Sequence, residues 1–491
     1  MAKILIVGGG VAGLSAGIYA QKSGHQAVIC EQQATTGGNL TGWHRGEYHI
    51  DICIHWLTVT NPASDTYKIW TDLGALGNVD VYQADTLYTY EENGKRLSLN
   101  KDLDALEEDM LTLSPADKKE ILAFTKAVRS MQGMSGFGGK THDKKSPLVS
   151  GLFFLPALHK YYKLSTGELA ARFRHPLIRH FLTSILSEHF SSLALIIVFS
   201  TFCGENGGIP KGSSRAMAER MTKKFLDLGG ELHLKKQAVK IRTKDGKATA
   251  VEFSDGTSMD ADYVILTTDP KVTFGKLLDA PMPKALQKQY ANPDMMRFSS
   301  YHCAFACDTR KLPFESDFIF RIPTKYRSAL HTDNLIIREF SHEKSFAPKG
   351  KTVLQSITFC DERTAKKFIK LRNDKAAYQK KKKEIANVVL ELIIQKFPKL
   401  DGKLTCIDVW TPATYERYTH SEIGSFMSFV LPSGVIPRKV DNRVKEAKNV
   451  FLATQWQQAP GGLPIAAKLG KEAIDAILKK ERGGKRTRAQ K

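Results

Sequence analysis

Gly8-x-Gly10-x-x-Gly13, followed by Glu31, is a set of residues that can take hold of a dinucleotide. A tight turn needs the first glycine, close approach of backbone amides to a pyrophosphate needs the second, and close helix–strand contact needs the third. The N-terminus of the following helix adds free N–H groups and the positive end of its dipole. An acid about 20 residues beyond the glycines can accept from a ribose hydroxyl and argues against a 2′-phosphate. These residues act only if particular elements position them. Lys3-Ile4-Leu5-Ile6-Val7 reads as a strand, Ala12 to Ala20 as a helix, and Ala27-Val28-Ile29-Cys30 as a second strand ending on Glu31. Strand, turn, helix, strand and acid in that order meet the structural context that a bare glycine triplet fails. Val11 and Ala12, which open the helix, join Gly8, Gly10 and Gly13 as expected phosphate neighbours.

Past the acid come Gln32-Gln33-Ala34-Thr35-Thr36-Gly37-Gly38-Asn39 and Gly46-Glu47-Tyr48-His49-Ile50-Asp51. On these residues the chain resembles the flavin-dependent phytoene desaturase and amine oxidase superfamily, in which an acid, a spacer and a Gly-Gly pair run along the adenosine side of FAD. The resemblance implies FAD rather than NAD, with Gln32, Gly37, Gly38 and Asn39 against it. Ile209-Pro210-Lys211-Gly212-Ser213-Ser214-Arg215 is similar to the segment preceding a long helix in bacterial phytoene desaturases. A ribbon of alternating strands follows, turned at Asp245-Gly246 and Asp255-Gly256, which are hairpin signals. Val239 in its first strand is an expected FAD contact, and Asp262 to Pro270 resembles the strand that returns to the nucleotide domain. Asn449 to Ala467 resembles the closing strand, glycine-proline loop and helix, which implies flavin contacts from Gly462, Leu463, Pro464 and Ala467. Many members carry Gly-Asp where this chain has Thr454-Gln455; Gln455 can still hydrogen-bond but brings no charge.

The fold class implied is α/β: a Rossmann-type FAD-binding domain with a discontinuous α+β substrate domain and a helical insertion. The FAD domain is expected to use 1–75, 205–275 and 440–482, the mainly helical insertion 76–204, the substrate domain 276–439, and a basic tail 483–491. In the insertion, Leu103, Leu106, Met110 and then Ile121, Phe124, Val128 recur at helical spacing. The glycine-rich stretch Met131 to Lys140 reads as a flexible loop, and Leu152-Phe153-Phe154-Leu155-Pro156-Ala157-Leu158 as an apolar patch at a tunnel mouth or in lipid, with plain core packing as the structural alternative. Val353 to Phe359 alternates as a strand, and Ile385 to Ile394 reads as a buried helix face.

At 491 residues, 42% hydrophobic and 25% charged, the chain has the make-up of a globular protein of two or three domains. Its longest apolar run, Leu193 to Phe199, falls far short of the roughly 20 residues that span a bilayer. Seven scattered cysteines read as reduced thiols, and without a second Cys/His pair at ligand spacing no metal site is expected. These features place the protein in the cytoplasm. The net charge is +21, yet residues 1–100 hold 6 Lys and Arg against 9 Asp and Glu, so the basic excess lies elsewhere, notably at Lys380-Lys381-Lys382-Lys383 and from Lys479 to Lys491. Solvated helix faces account for such runs; attraction to an anionic membrane surface, with a peripheral position on its inner face, is the functional alternative. No recognition motif supports a nucleic-acid partner, and no feature sets the oligomeric state.

No second glycine turn of this type follows, so a separate NAD(P)H domain is absent from the pattern. Flavin chemistry needs a substrate C–H or C=C held against the ring and water kept out. Candidate side chains are His55, by resemblance near the flavin's far side, as a proton donor or acceptor, and Tyr415 and Arg417, to orient a polar substrate end. Packing for His55, and a domain-joining strand and turn for Thr411 to Thr419, are the structural alternatives. The resemblance implies an FAD-dependent oxidoreductase that desaturates, saturates or isomerises a hydrophobic polyene, isoprenoid or fatty substrate. A flavin amine oxidase and a non-enzymatic, membrane-recruited flavin-binding protein are the rival readings.

Overall fold

The computed structural model describes residues 1–132, 134–135, 139–140, 155–435 and 439–489. The Phe153-Phe154 patch, most of the glycine-rich stretch after Gln132 and the side chains of the basic C-terminal end lie outside the described residues.

The nucleotide half is a five-stranded parallel sheet in the order Glu231–His233, Gln26–Cys30, Lys3–Val7, Tyr263–Leu266, Val450–Leu452. Strands buried on both faces must be apolar throughout, and Ile4, Leu5 and Ile6 are fully buried. The helices Val11–Lys22 and Leu463–Ala489 pack together on one face, with Ser213–Asp227 beside them. The sheet is thus assembled from both ends and the middle of the chain. The three-stranded antiparallel ribbon Ala238–Lys244, Lys247–Phe253, Ser258–Asp260 covers the other face. The final helix continues through Ala489, across the stretch expected to be a separate tail. Lys and Arg are good helix formers and suit the negative end of the helix dipole.

The second half is a seven-stranded sheet in the order Leu404–Trp410, Phe298–Cys307, Thr352–Asp361, Asn334–Glu339, Asp317–Arg321, Thr86–Glu92, Lys95–Asn100. The Thr86–Asn100 hairpin, which lies in the region expected to be a helical insertion, joins this sheet through a parallel pairing with Asp317–Arg321. Strand period two divides the residues between two faces. Tyr301, Cys303 and Phe305 face a core with the helix Lys375–Lys396. Ile357, Ile336, Ile319, Tyr90 and Leu97 face the helices Leu103–Leu113, Lys118–Met131 and Ser192–Cys203. The last of these is apolar all round, which fits a helix with core on one side and a cavity on the other. No helix among the described residues is long and apolar enough to cross a membrane.

Candidate flavin and substrate site

Between the two halves runs one cavity of about 1230 Å³. At its nucleotide end Gly8 has φ +105°, a conformation only glycine adopts without strain. Gly8 N donates to Cys30 O at 2.9 Å, and Thr267 Oγ1 donates to Val7 O at 2.9 Å. Glu31 fixes the same turn: Oε2 accepts from Gly9 N at 2.7 Å and Oε1 from Gln33 N at 2.8 Å. Burial pushes its carboxyl above the ordinary range while these N–H groups oppose the shift. Each carboxylate oxygen keeps a second lone pair, so Glu31 can still accept from a sugar hydroxyl. Gly37 N donates to Gly9 O at 2.8 Å, which ties the Gly-Gly pair to the glycine turn.

Of the residues expected to hold the cofactor, Gly8, Gly10, Val11, Ala12, Glu31, Gln32, Gly37, Gly38, Asn39, Val239, Gln455, Gly462, Leu463 and Pro464 line the cavity. Gly13 and Ala467 do not, and the expectation is corrected. A Cβ at Gly13 would stand 1.9 Å from Gly8 O, and the carbonyl of Ala467 accepts from Ser15 Oγ at 2.6 Å. Both sit behind the site, where helix packs on strand or on helix. Gln455 uses its amide to shape the closing loop: Oε1 accepts from Gly462 N at 3.0 Å and Nε2 donates to Phe426 O at 3.4 Å.

His55 lines the opposite part of the cavity, and the loop that carries it is pinned from below. Buried Asp51 accepts from Ser214 N at 2.8 Å and from Ser214 Oγ at 2.6 Å, and Ile54 N donates to that same Oγ at 2.8 Å. A carboxylate at the N-terminus of the helix Ser213–Asp227 also complements its dipole. Among the described residues His55 has no hydrogen-bond partner; burial first, then the charge of Arg338, hold its imidazole well below the usual range.

Tyr415 lies on the helix Pro412–Thr419, capped by Thr411, and is buried against the cavity. Its hydroxyl accepts from Trp410 Nε1 at 3.1 Å and lies 3.2 Å from His302 Nε2. Arg417 is exposed and does not line the cavity, which corrects its expected role. On a helix, residues two apart point in different directions, so Tyr415 and Arg417 cannot share a pocket as they would on a strand. His302 was missed. It stacks on Trp410 at 4.6 Å, its Nε2 lies 2.7 Å from Ser300 Oγ, and burial lowers its pKa to about 3. The available signal was a polar pair, Ser300 and His302, at period two inside an otherwise apolar strand.

The residues present fit an FAD. Backbone amides and a helix N-terminus meet at the glycine turn, Asn39 Oδ1 is buried without a protein partner, and a Cβ added at Gly462 would meet open space. Bound there, a flavin accepts or returns a hydride; the protein supplies the walls and the polar groups around it. Among the described residues no cluster of His, Cys, Asp and Glu is gathered as a metal site.

The profile of the flavin containing amine oxidoreductase family matches residues 11–478. Prolycopene isomerase of Daucus carota is 21% identical over 450 residues, 86% of this chain and 71% of that protein. The 4,4'-diapolycopene oxygenase of Methylomonas sp. is 19% identical over 97% of this chain and 98% of its own length. The lycopene-forming phytoene desaturase of Pseudescherichia vulneris is 26% identical over 57% and 58% respectively. Among solved structures, an oxidoreductase from Methanosarcina mazei superposes with TM-score 0.58 at 15% identity, covering 96% of this chain and 100% of that one. Cyclohexylamine oxidase from Brevibacterium oxydans gives 0.56 at 13% identity, covering 98% and 99%. At such identities the structures establish the fold alone. The chain belongs to the flavin containing amine oxidoreductase family and is an FAD-dependent oxidoreductase.

Proposed function

We propose that the protein moves a hydride between its flavin and a long hydrophobic polyene or isoprenoid, desaturating or saturating it or isomerising its double bonds. The observation that carries this reading is the substrate half of the cavity. Leu193, Ala194, Ile197 and Val198 form one wall and Ile319, Ile336 and Ile357 the facing sheet wall. Burying an apolar chain there is favourable at about 25 cal/mol per Å² removed from water. The relatives named for carotenoid isomerisation, desaturation and oxygenation agree with that chemistry. A protonated amine is a poorer match, because the carboxylate on the sheet face, Asp317, is already paired with Arg338. We assign the cavity-lining glycines, Glu31, Asn39, Gln455 and Gly462 to FAD and the His55 side to substrate. Anaerobic mixing tests the reading. Bleaching of the flavin by a polyene, or isomer exchange without net bleaching, supports it; bleaching by amines alone rejects it.

The net charge of +21 supports a second part of the proposal, that the protein meets an anionic membrane from which such substrates are drawn. Sedimentation with anionic vesicles should fall steeply between low and high salt; salt-independent binding, or none, would refute it.

A further inference from the structure

Both walls of the substrate half are apolar, yet polar groups on one part of it have nothing to bind. His302 is 3% exposed and its Nδ1 has no partner. Arg338 is 6% exposed; its Nε and Nη2 are spent on Asp317, while Nη1 makes no hydrogen bond. His55 makes none at all among the described residues. All three line the cavity, and the charge of Arg338 is felt at both imidazoles. Sheet register puts His302 and Arg338 on one face: His302 lies opposite Ile357, Ile357 opposite Ile336, and Arg338 is two residues past Ile336 on the same strand. A buried polar atom without a partner is costly, and His302 Nδ1 is one; with Arg338 Nη1 and His55 also unbonded on the cavity lining, the three call for a polar group of the ligand.

The charges say what kind. Arg338 is already balanced by a two-pronged pair with Asp317, and both imidazoles are neutral. The site therefore offers N–H groups at no net charge, and a carboxylate would bring a second anion beside Asp317. Ser300 Oγ at 2.7 Å and the Tyr415 hydroxyl at 3.2 Å satisfy His302 Nε2, so Nδ1 is the ring nitrogen left for a ligand. Neutral His55 can accept as well as donate, which suits a hydroxyl. We propose that the substrate is an oxygenated isoprenoid or polyene: a long apolar chain whose neutral hydroxyl or carbonyl oxygen is held by Arg338 Nη1, His302 and His55. This rests on the polyene reading above and narrows it.

Binding to the FAD-loaded protein tests the proposal without turnover. One isoprenoid chain would be offered as hydrocarbon, alcohol, aldehyde and acid, with quenching of tryptophan fluorescence as the readout. The alcohol or aldehyde should bind at least about tenfold more tightly than the hydrocarbon and the acid, since a site built for a polar group penalises the analogue lacking it. Arg338→Met with Asp317→Leu removes both charges together and leaves neither buried alone; His302→Phe keeps the stacked ring. Each variant should bring the series to within about twofold while hydrocarbon binding persists, which also shows that the cavity has formed. Equal affinity for hydrocarbon and alcohol in the unaltered protein, tightest binding of the acid, or an undiminished preference in the variants would overturn the proposal. Failure of every member to bind would instead overturn the polyene reading on which it stands.

Discussion

Gly13→Ala tests how the flavin site is positioned. The added Cβ would lie 1.9 Å from Gly8 O and 3.1 Å from Gly8 C, whereas a Cβ in a folded protein does not come within 3.0 Å of a backbone atom. Helix and turn must therefore separate by more than about 1 Å, a form of overpacking that costs about 1–3 kcal/mol. The turn is not free to yield: Gly8 N is bonded to Cys30 O at 2.9 Å and Gly8 O accepts from Thr267 Oγ1 at 3.2 Å. Breaking the first adds about 1 kcal/mol; the second shares its one proton with Val7 O at 2.9 Å and adds little. A total of about 2–4 kcal/mol falls on the residues that line the cofactor half, and if about 3 kcal/mol of it appears in binding, FAD affinity drops by about 10²-fold. The assay is flavin absorbance per chain after gel filtration, with unfolding midpoints of the FAD-loaded protein alongside. Gly275→Ala is the control: a Cβ there meets nothing within 4 Å and the backbone is helical, so the change should be neutral or slightly stabilising. A Gly13→Ala protein that retains one flavin per chain with an unshifted midpoint would refute the reasoning.

Asp51→Asn places an N–H₂ where Ser214 N or Ser214 Oγ needs an acceptor, and should cost about 2–3 kcal/mol in denaturant unfolding, with the His55 segment opening to protease first. Burial depresses the pKa of His302 to about 3 and of His49 to about 4, so the unfolded chain takes up these protons near 6.5 while the folded protein does not. Their contribution is complete above about pH 6.5 and is lost as pH falls toward 3–4, with a slope approaching 1.4 kcal/mol per pH unit for each histidine. Unfolding of His302→Phe measured at pH 7 and pH 5 should show a shallower loss, and an identical slope would contradict the burial argument. Arg417→Ala, on the exposed side of its helix, should change stability by less than about 0.5 kcal/mol and leave substrate-driven flavin reduction unaltered.

The nucleotide half was legible because its determinants are local. Lys3 to Glu31 carries strand, turn, helix, strand and acid within one segment, and each residue type is required by its own backbone conformation or close contact. Ala467 marks the limit of that legibility, since a small residue required for packing and one required for ligand approach look alike until a neighbour is placed beside them; the helix–strand contact expected of Gly13 is present, its Cβ position lying 1.9 Å from Gly8 O. The hairpin at Thr86–Asn100 was not legible as part of the substrate sheet. Its partner strand, Asp317–Arg321, lies more than two hundred residues away, and no periodicity in either segment specifies a pairing at that distance. Tyr415 and Arg417 stand in one contiguous block, Thr411 to Thr419, and adjacency in sequence carries no orientation; Pro at the first helical position and Thr411 as cap point to the helix that forms and turns the two apart.

The substrate half was hard to read for a further reason, which also explains where its specificity sits. In Phe298–Cys307 one alternating set, Tyr301, Cys303 and Phe305, is spent on the core against the helix Lys375–Lys396. The other set begins Phe298, Ser300, His302, and these three line the cavity. Any change in the second set leaves the first, and hence the strand, in place. The same division holds across the sheet, where Ile336 and Arg338 lie on the cavity side while Ile337 between them is core. A sheet built this way lets the fold be stabilised by one set of positions while the other varies its chemistry, so a polar residue on the cavity side is free of structural duty unless its partners say otherwise. Arg338 and His302 have such partners in Asp317, Ser300 and Tyr415, but those partners leave one nitrogen on each unbonded. It follows that specificity here is written in cross-strand neighbours rather than in contiguous motifs, and that exchanging Ser300, His302 and Arg338 as a group should change which chain end is accepted while the flavin half is unaffected.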